Sequence, residues 1–128
     1  DDELEHLQRL LVIIGGYIKE GNIEKIVETD IEFHDLMYHA ARNERLVGII
    51  SNLRDQLTRF RTLSMSYPGR LEETLDEHRL IVEAIANGDR KAASKAAERH
   101  MENSEKTLLK AMEALEREKN AKAKKAKK

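Results

Sequence analysis

The chain has no cysteine, no tryptophan, a single proline in 128 residues and only 4% aromatic side chains. Without thiols there can be no disulfide, thiolate metal site or cysteine nucleophile, so any metal must be held by nitrogen and oxygen. Few aromatics and 37% charged residues favour helices over a sheet, because strands draw on aromatic and β-branched side chains. Long apolar runs are also lacking. The longest, from Leu10 to Ile14 and on through Gly15 and Gly16 to Ile18, is far short of the roughly 20 residues that span a bilayer. The start, Asp-Asp-Glu-Leu-Glu, is acidic where a secretory signal is basic and then apolar. These features predict a cytoplasmic, all-α protein with no membrane span, and the length suits one domain.

Net charge is −1, yet residues 119–128 hold six lysines and no acid, which leaves −7 for residues 1–118. An acidic body is a poor nucleic-acid surface, because affinity for DNA comes largely from basic groups meeting phosphates. Residues 1–118 are therefore expected to form the folded domain. Residues 119–128 form a Lys/Ala-rich tail, expected to be a solvated, fraying helix end, with an anionic partner as the alternative.

Apolar residues at 3/4 spacing predict five helices. Leu4, Leu7, Leu11, Ile14 and Ile18 mark the first, closed by Gly21 in the left-handed conformation. After Asn22 as N-cap, the second carries Ile23, Ile26, Val27, Phe33, Met37 and Ala41 to about Arg42, with Asn43 as its left-handed stop. The third runs through Leu46, Ile49, Ile50, Leu53, Leu57 and Phe60 towards the loop around Pro68 and Gly69. The fourth carries Leu71, Leu75, Ile81, Val82 and Ile85, and Asn87-Gly88-Asp89 is a stop followed by a new N-cap. The fifth runs from about Arg90 towards Leu115. Short connections imply antiparallel neighbours in a bundle.

Polar residues interrupt these stripes in a particular pattern. Asp30 and His34 lie four apart, which projects a carboxylate and an imidazole from one helix face. They occupy core positions of the second helix, where burial is costly unless they find partners. His78 and His100 sit on the fourth and fifth helices, each 11 residues from Asp89, or roughly 16 Å at ~1.5 Å per residue. Antiparallel helices joined there would place the two side by side. Three imidazoles and one carboxylate suit a divalent transition metal such as Zn²⁺, Ni²⁺, Mn²⁺ or Fe²⁺. The bland alternative is a set of core histidines that satisfy one another.

Arg54 and Arg61, seven apart on the third helix, are candidates to pair with an anionic effector, and Asn103, near His100, to hydrogen-bond it. Surface salt bridges and solvation are the competing roles. His39, turned about 140° from His34, is expected on the surface, and His6 receives no role. Catalytic signatures are scarce: no His-Glu-x-x-His, Gly-x-x-x-x-Gly-Lys, Gly-x-Gly-x-x-Gly or Gly-x-Ser-x-Gly occurs, and Glu-x-x-His appears once, at Glu3 to His6. A binding protein is thus expected rather than an enzyme. A metal-dependent hydrolase and a purely structural or dimerisation bundle stand as alternatives.

Several segments together resemble a known family: Asp30-Ile-Glu-Phe-His34-Asp-Leu, Ala41-Arg-Asn43, Ser64-Met-Ser-Tyr-Pro-Gly-Arg70, Glu77-His78-Arg-Leu-Ile-Val-Glu-Ala84-Ile, Asn87-Gly-Asp89, and Ala96 through His100. In order and spacing, over about residues 22–110, they resemble the FCD domain, the C-terminal effector-binding domain of FadR-type regulators in the GntR superfamily. The resemblance implies an antiparallel helical bundle that binds a small organic acid or related metabolite, in many members beside a metal held by one Asp and three His. Those positions here are Asp30, His34, His78 and His100. It also implies a homodimer, and contact with DNA only through an N-terminal winged helix-turn-helix. That domain, and the first helices of the usual bundle, are expected to be missing from these 128 residues.

Overall fold

The computed structural model describes residues 1–127, with Lys128, the last residue of the basic tail, outside the described residues. Among the described residues six helices follow one another: α1 (Asp2–Glu20), α2 (Ile23–Ala40), α3 (Glu44–Asn52), α4 (Arg54–Met65), α5 (Arg70–Ala86) and α6 (Arg90–Ala126). No strand occurs among the described residues. The all-α bundle is as expected.

The turns follow from cap chemistry. Gly21 adopts φ 70°, and its N–H and that of Asn22 bond back to Ile18 and Tyr17, a Schellman motif that satisfies the orphan carbonyls of α1. Gly88, at φ 67°, repeats the device with bonds from Gly88 to Ile85 and from Asp89 to Ala84. The side chains of Asn22 and Asp89 then cap α2 and α6 by accepting from the N–H groups of Lys25 and Ala92. The end of α2 departs from expectation. Arg42, not Asn43, takes the left-handed conformation, at φ 56°. Asn43 is instead the N-cap of α3, its side chain accepting from Leu46 N–H at 3.0 Å.

The expected third helix is broken in two at Leu53, whose N–H bonds to Ile50 one residue short of the α-helical spacing. Ser51 and Asn52, both poor helix formers, precede the break. The break lets α3 lie against α2 while α4 packs on α6. As a result α3 buries none of its residues, and Leu46, Ile49, Leu53 and Phe60 of the expected stripe stay exposed. Ile85 of the fourth expected stripe is exposed as well.

The core lies between α1, α2 and α5, where Leu7, Leu10, Leu11 and Ile14 meet Ile26, Val27 and Phe33, and Leu75 and Val82 close the group with Met65. Longest of the six, α6 packs on α5 and α4 yet buries only His100 and Ala111. It continues through most of the basic tail as helix, and Met112 to Lys127 are exposed. The buried polar residues Asp30, His34, His78 and His100 lie where α2, α5 and α6 come together beside α4.

Candidate metal centre

At that seam α2 supplies Asp30 and His34, α5 supplies His78 and α6 supplies His100, all buried. The antiparallel pairing of α5 and α6 about Gly88 brings the Nε2 atoms of His78 and His100 to 3.2 Å. One nitrogen from each of His34, His78 and His100 lies within 4.8 Å of the others. Asp30 Oδ1 stands 3.7 Å from His34 Nε2 and 3.7 Å from His78 Nδ1. Phe33, fully buried, stacks on the His78 ring at 4.5 Å and so fixes its plane.

Two residues without a role in the sequence reading organise this group. Glu77 Oε1 lies 2.7 Å from His100 Nδ1. Burial alone would raise the pKa of Glu77, but hydrogen bonds from Arg70, His100 and Asn103 outweigh it and hold the group below its ordinary value. An ionised carboxylate only accepts, so His100 carries its proton on Nδ1 and turns a bare Nε2 lone pair into the cluster. Carboxylate support of this kind is what orients imidazoles that hold metals. Arg70, almost wholly buried, donates to both oxygens of Glu77, at 3.0 and 2.6 Å, and to Ser104 Oγ at 2.9 Å. A signal for this was present in the sequence: Arg70 and Glu77 are seven apart, hence on one face of α5, and Glu77 adjoins His78.

The electrostatics follow from burial. Asp30 is pushed up to about 7 by desolvation, against the lowering pull of Arg61 and Arg70. His34 and His78 are driven well below the ordinary histidine value, first by burial and then by neighbouring histidines and arginines. For His100 burial also lowers the pKa, with Glu77 opposing. Near neutral pH the cluster therefore presents three uncharged imidazoles and a carboxyl group that a cation would hold ionised. This donor set fits a divalent transition metal, since such ions take neutral imidazole and carboxylate oxygen.

A cavity of about 380 Å³ opens beside the cluster, with Asp30, His34, Arg61 and His100 among its lining residues. Arg61 Nε lies 3.6 Å from Asp30 Oδ2, and Arg61 donates to the Tyr38 hydroxyl at 3.3 Å. Arg54 does not line this cavity; it is exposed and donates to Asp35 at 3.1 Å. Asn103 is turned to another cleft between α5 and α6 and donates to Glu77 at 2.7 Å, a bond that supports the carboxylate orienting His100. His39 is exposed, and His6 lies 3.5 Å from Glu32 and does not line the cavity.

The site is thus a group of buried imidazoles at the edge of a cavity in a helical bundle. The profile of the FCD domain matches residues 1–103, and the chain belongs to that family. The match takes in α1, which the resemblance carried by individual segments had left out. FCD domains are effector-binding domains of GntR-type transcription regulators. A comparison with curated proteins finds no match. Among the described residues, no helix is long and apolar enough to cross a membrane.

Proposed function

We propose that this chain senses a small organic acid for a cytoplasmic GntR/FadR-type regulator, through a divalent metal held by Asp30, His34, His78 and His100. The observation that carries the reading is three neutral, buried imidazole nitrogens within 4.8 Å of one another at the wall of a cavity. When bound, the metal supplies a positive centre for an anionic oxygen of the effector. Glu77 holds His100 in the tautomer that leaves Nε2 free, and Phe33 keeps the His78 ring in place. Arg61 contributes a second positive group, and Tyr38 and Asp30 restrain it. None of this requires a bond to be broken, so the site is read as a sensor and not an enzyme.

Effector binding would then alter DNA binding by a winged helix-turn-helix domain elsewhere in the regulator. A homodimer is part of the same reading. The family resemblance supports it, as do the exposed Leu46 and Ile49 on α3 and Leu53 at the break after it, and sedimentation of the purified chain tests it.

Metal analysis joined to a thermal-shift screen of organic acids tests the function. The protein purified without chelators is expected to carry divalent metal, and to lose both metal and organic-acid binding when stripped. A ligand at about 100 times its Kd stabilises the native state by about 2.7 kcal/mol, enough to register in melting. A protein that holds no divalent metal and gains no stability from added metal overturns the metal reading.

A further inference from the structure

We propose that the cavity selects a monocarboxylate bearing an apolar tail, in preference to dicarboxylates and polyhydroxylated acids. The head-group part rests on the sensor reading above; the tail part is argued from the walls alone.

The supply of cationic groups is small. Of the two arginines lining the cavity, Arg70 is engaged by both oxygens of Glu77 and by Ser104. Arg61 is left, beside the metal cluster, to meet one carboxylate. Away from that end the cavity offers no second cation. It offers Glu102 and Glu105, both exposed, on the α6 side of the opening, and these repel a second anionic group.

The remaining wall is largely hydrocarbon: Leu57, Phe60 and Met65 from α4 face the cavity with Met101 and Leu108 from α6. From His100 to Leu108 the lining advances about 12 Å along α6 at ~1.5 Å per residue, so an apolar chain anchored at the cluster has wall to follow. The lining hydroxyls are those of Tyr38, Ser64, Thr74 and Ser104, of which Tyr38 and Ser104 already meet Arg61 and Arg70. A sugar acid lying along the hydrocarbon wall would therefore leave hydroxyls unpaired, at a cost for each. A methylene chain gains by leaving water.

Calorimetric titration of the Zn²⁺-loaded chain with butyrate, hexanoate and octanoate, and with octanedioate and gluconate, tests this. Affinity is expected to rise about fourfold for each added methylene that enters the cavity. Octanedioate and gluconate should bind at least roughly tenfold more weakly than octanoate, the scale of one buried group left unpaired. Leu108→Asn should weaken octanoate by roughly tenfold and leave butyrate unchanged. The surface pair Glu102→Gln with Glu105→Gln, which does not touch the core, should narrow the gap between octanedioate and octanoate. Affinity that is flat with chain length, or gluconate or octanedioate binding more tightly than octanoate, overturns the tail proposal while the sensor reading stands. If the metal-loaded chain binds no carboxylate, both readings fall.

Discussion

Replacing Glu77 by glutamine is the sharpest test of how the buried cluster is held. The carboxylate accepts four hydrogen bonds, two from Arg70, one from His100 and one from Asn103. Glutamine keeps one acceptor oxygen and turns an NH₂ group towards those donors. Arg70, whose side chain is only 1% exposed, would keep Glu73 as its nearest carboxylate, 3.5 Å away and largely in solvent. Removing one partner of a buried ion pair costs about 3–5 kcal/mol, and the retained oxygen argues for the lower end. With a urea slope of about 2 kcal/mol per M, the unfolding midpoint should fall by about 1.5 M. Metal affinity, read by competition with a chromophoric chelator, should fall roughly 10–100-fold, because Arg70, Asn103 and His100 then compete for one oxygen, which no longer fixes the His100 tautomer. The double variant Arg70→Met with Glu77→Gln should regain part of the stability, as no buried charge is left alone, without regaining metal affinity. An unchanged midpoint in Glu77→Gln would refute the charge argument, and unchanged metal affinity would refute the orienting role.

Other perturbations follow from the same geometry. In chelator-treated protein, histidines with lowered folded pKa values make stability fall as pH drops below about 6.5, the unfolded-state value. Asp30, raised to about 7, acts oppositely: its penalty begins near the unfolded value and grows until pH passes 7. With lowered histidines outnumbering the one raised aspartate, metal-free stability should rise from pH 5 to about 7 and then level off, and Asp30→Asn should steepen the rise. Urea midpoints at pH 5, 6.5 and 8 check this, and a midpoint that stays flat or falls between pH 5 and 6.5 counts against it. Phe33→Ala should cost about 3–5 kcal/mol in chemical unfolding and weaken metal binding, since Phe33 is fully buried and stacked on His78. Deleting residues 119–128 should change stability by no more than about 0.5 kcal/mol, because the described part of this stretch is exposed; a larger loss in calorimetry would show that the tail packs.

Local patterns carried much of this protein. Asn22 and Asp89 stand where their side chains cap the following helices, and Gly21 and Gly88 where the backbone must turn left-handed. Cap chemistry acts over a few residues, so it can be read from a few residues. The meeting of His78 and His100 was legible for a related reason, since a tight turn between two helices makes pairing a matter of equal spacing. Joining Asp30 and His34 to them needed only the stripe that turned both inward.

The break at Leu53 was not legible in that way. Leu46 to Phe60 keep a helical period on both sides of it, and the bend depends on α4, unlike α3, packing on α5 and α6 as well as on α2. For the same reason spacing alone could not separate Arg54, which pairs outward with Asp35, from Arg61, which meets Asp30, or show that Asn103 serves Glu77 rather than the cavity. Sequence by itself determined the helical stretches (though not the break within the third), most of their caps and the four polar residues placed where a core is expected, because periodicity and turn chemistry are local. Only tertiary structure decided that Arg70 is neutralised by Glu77, that Glu77 orients His100, and which side chains line the cavity, because those outcomes depend on helices set side by side from distant parts of the chain.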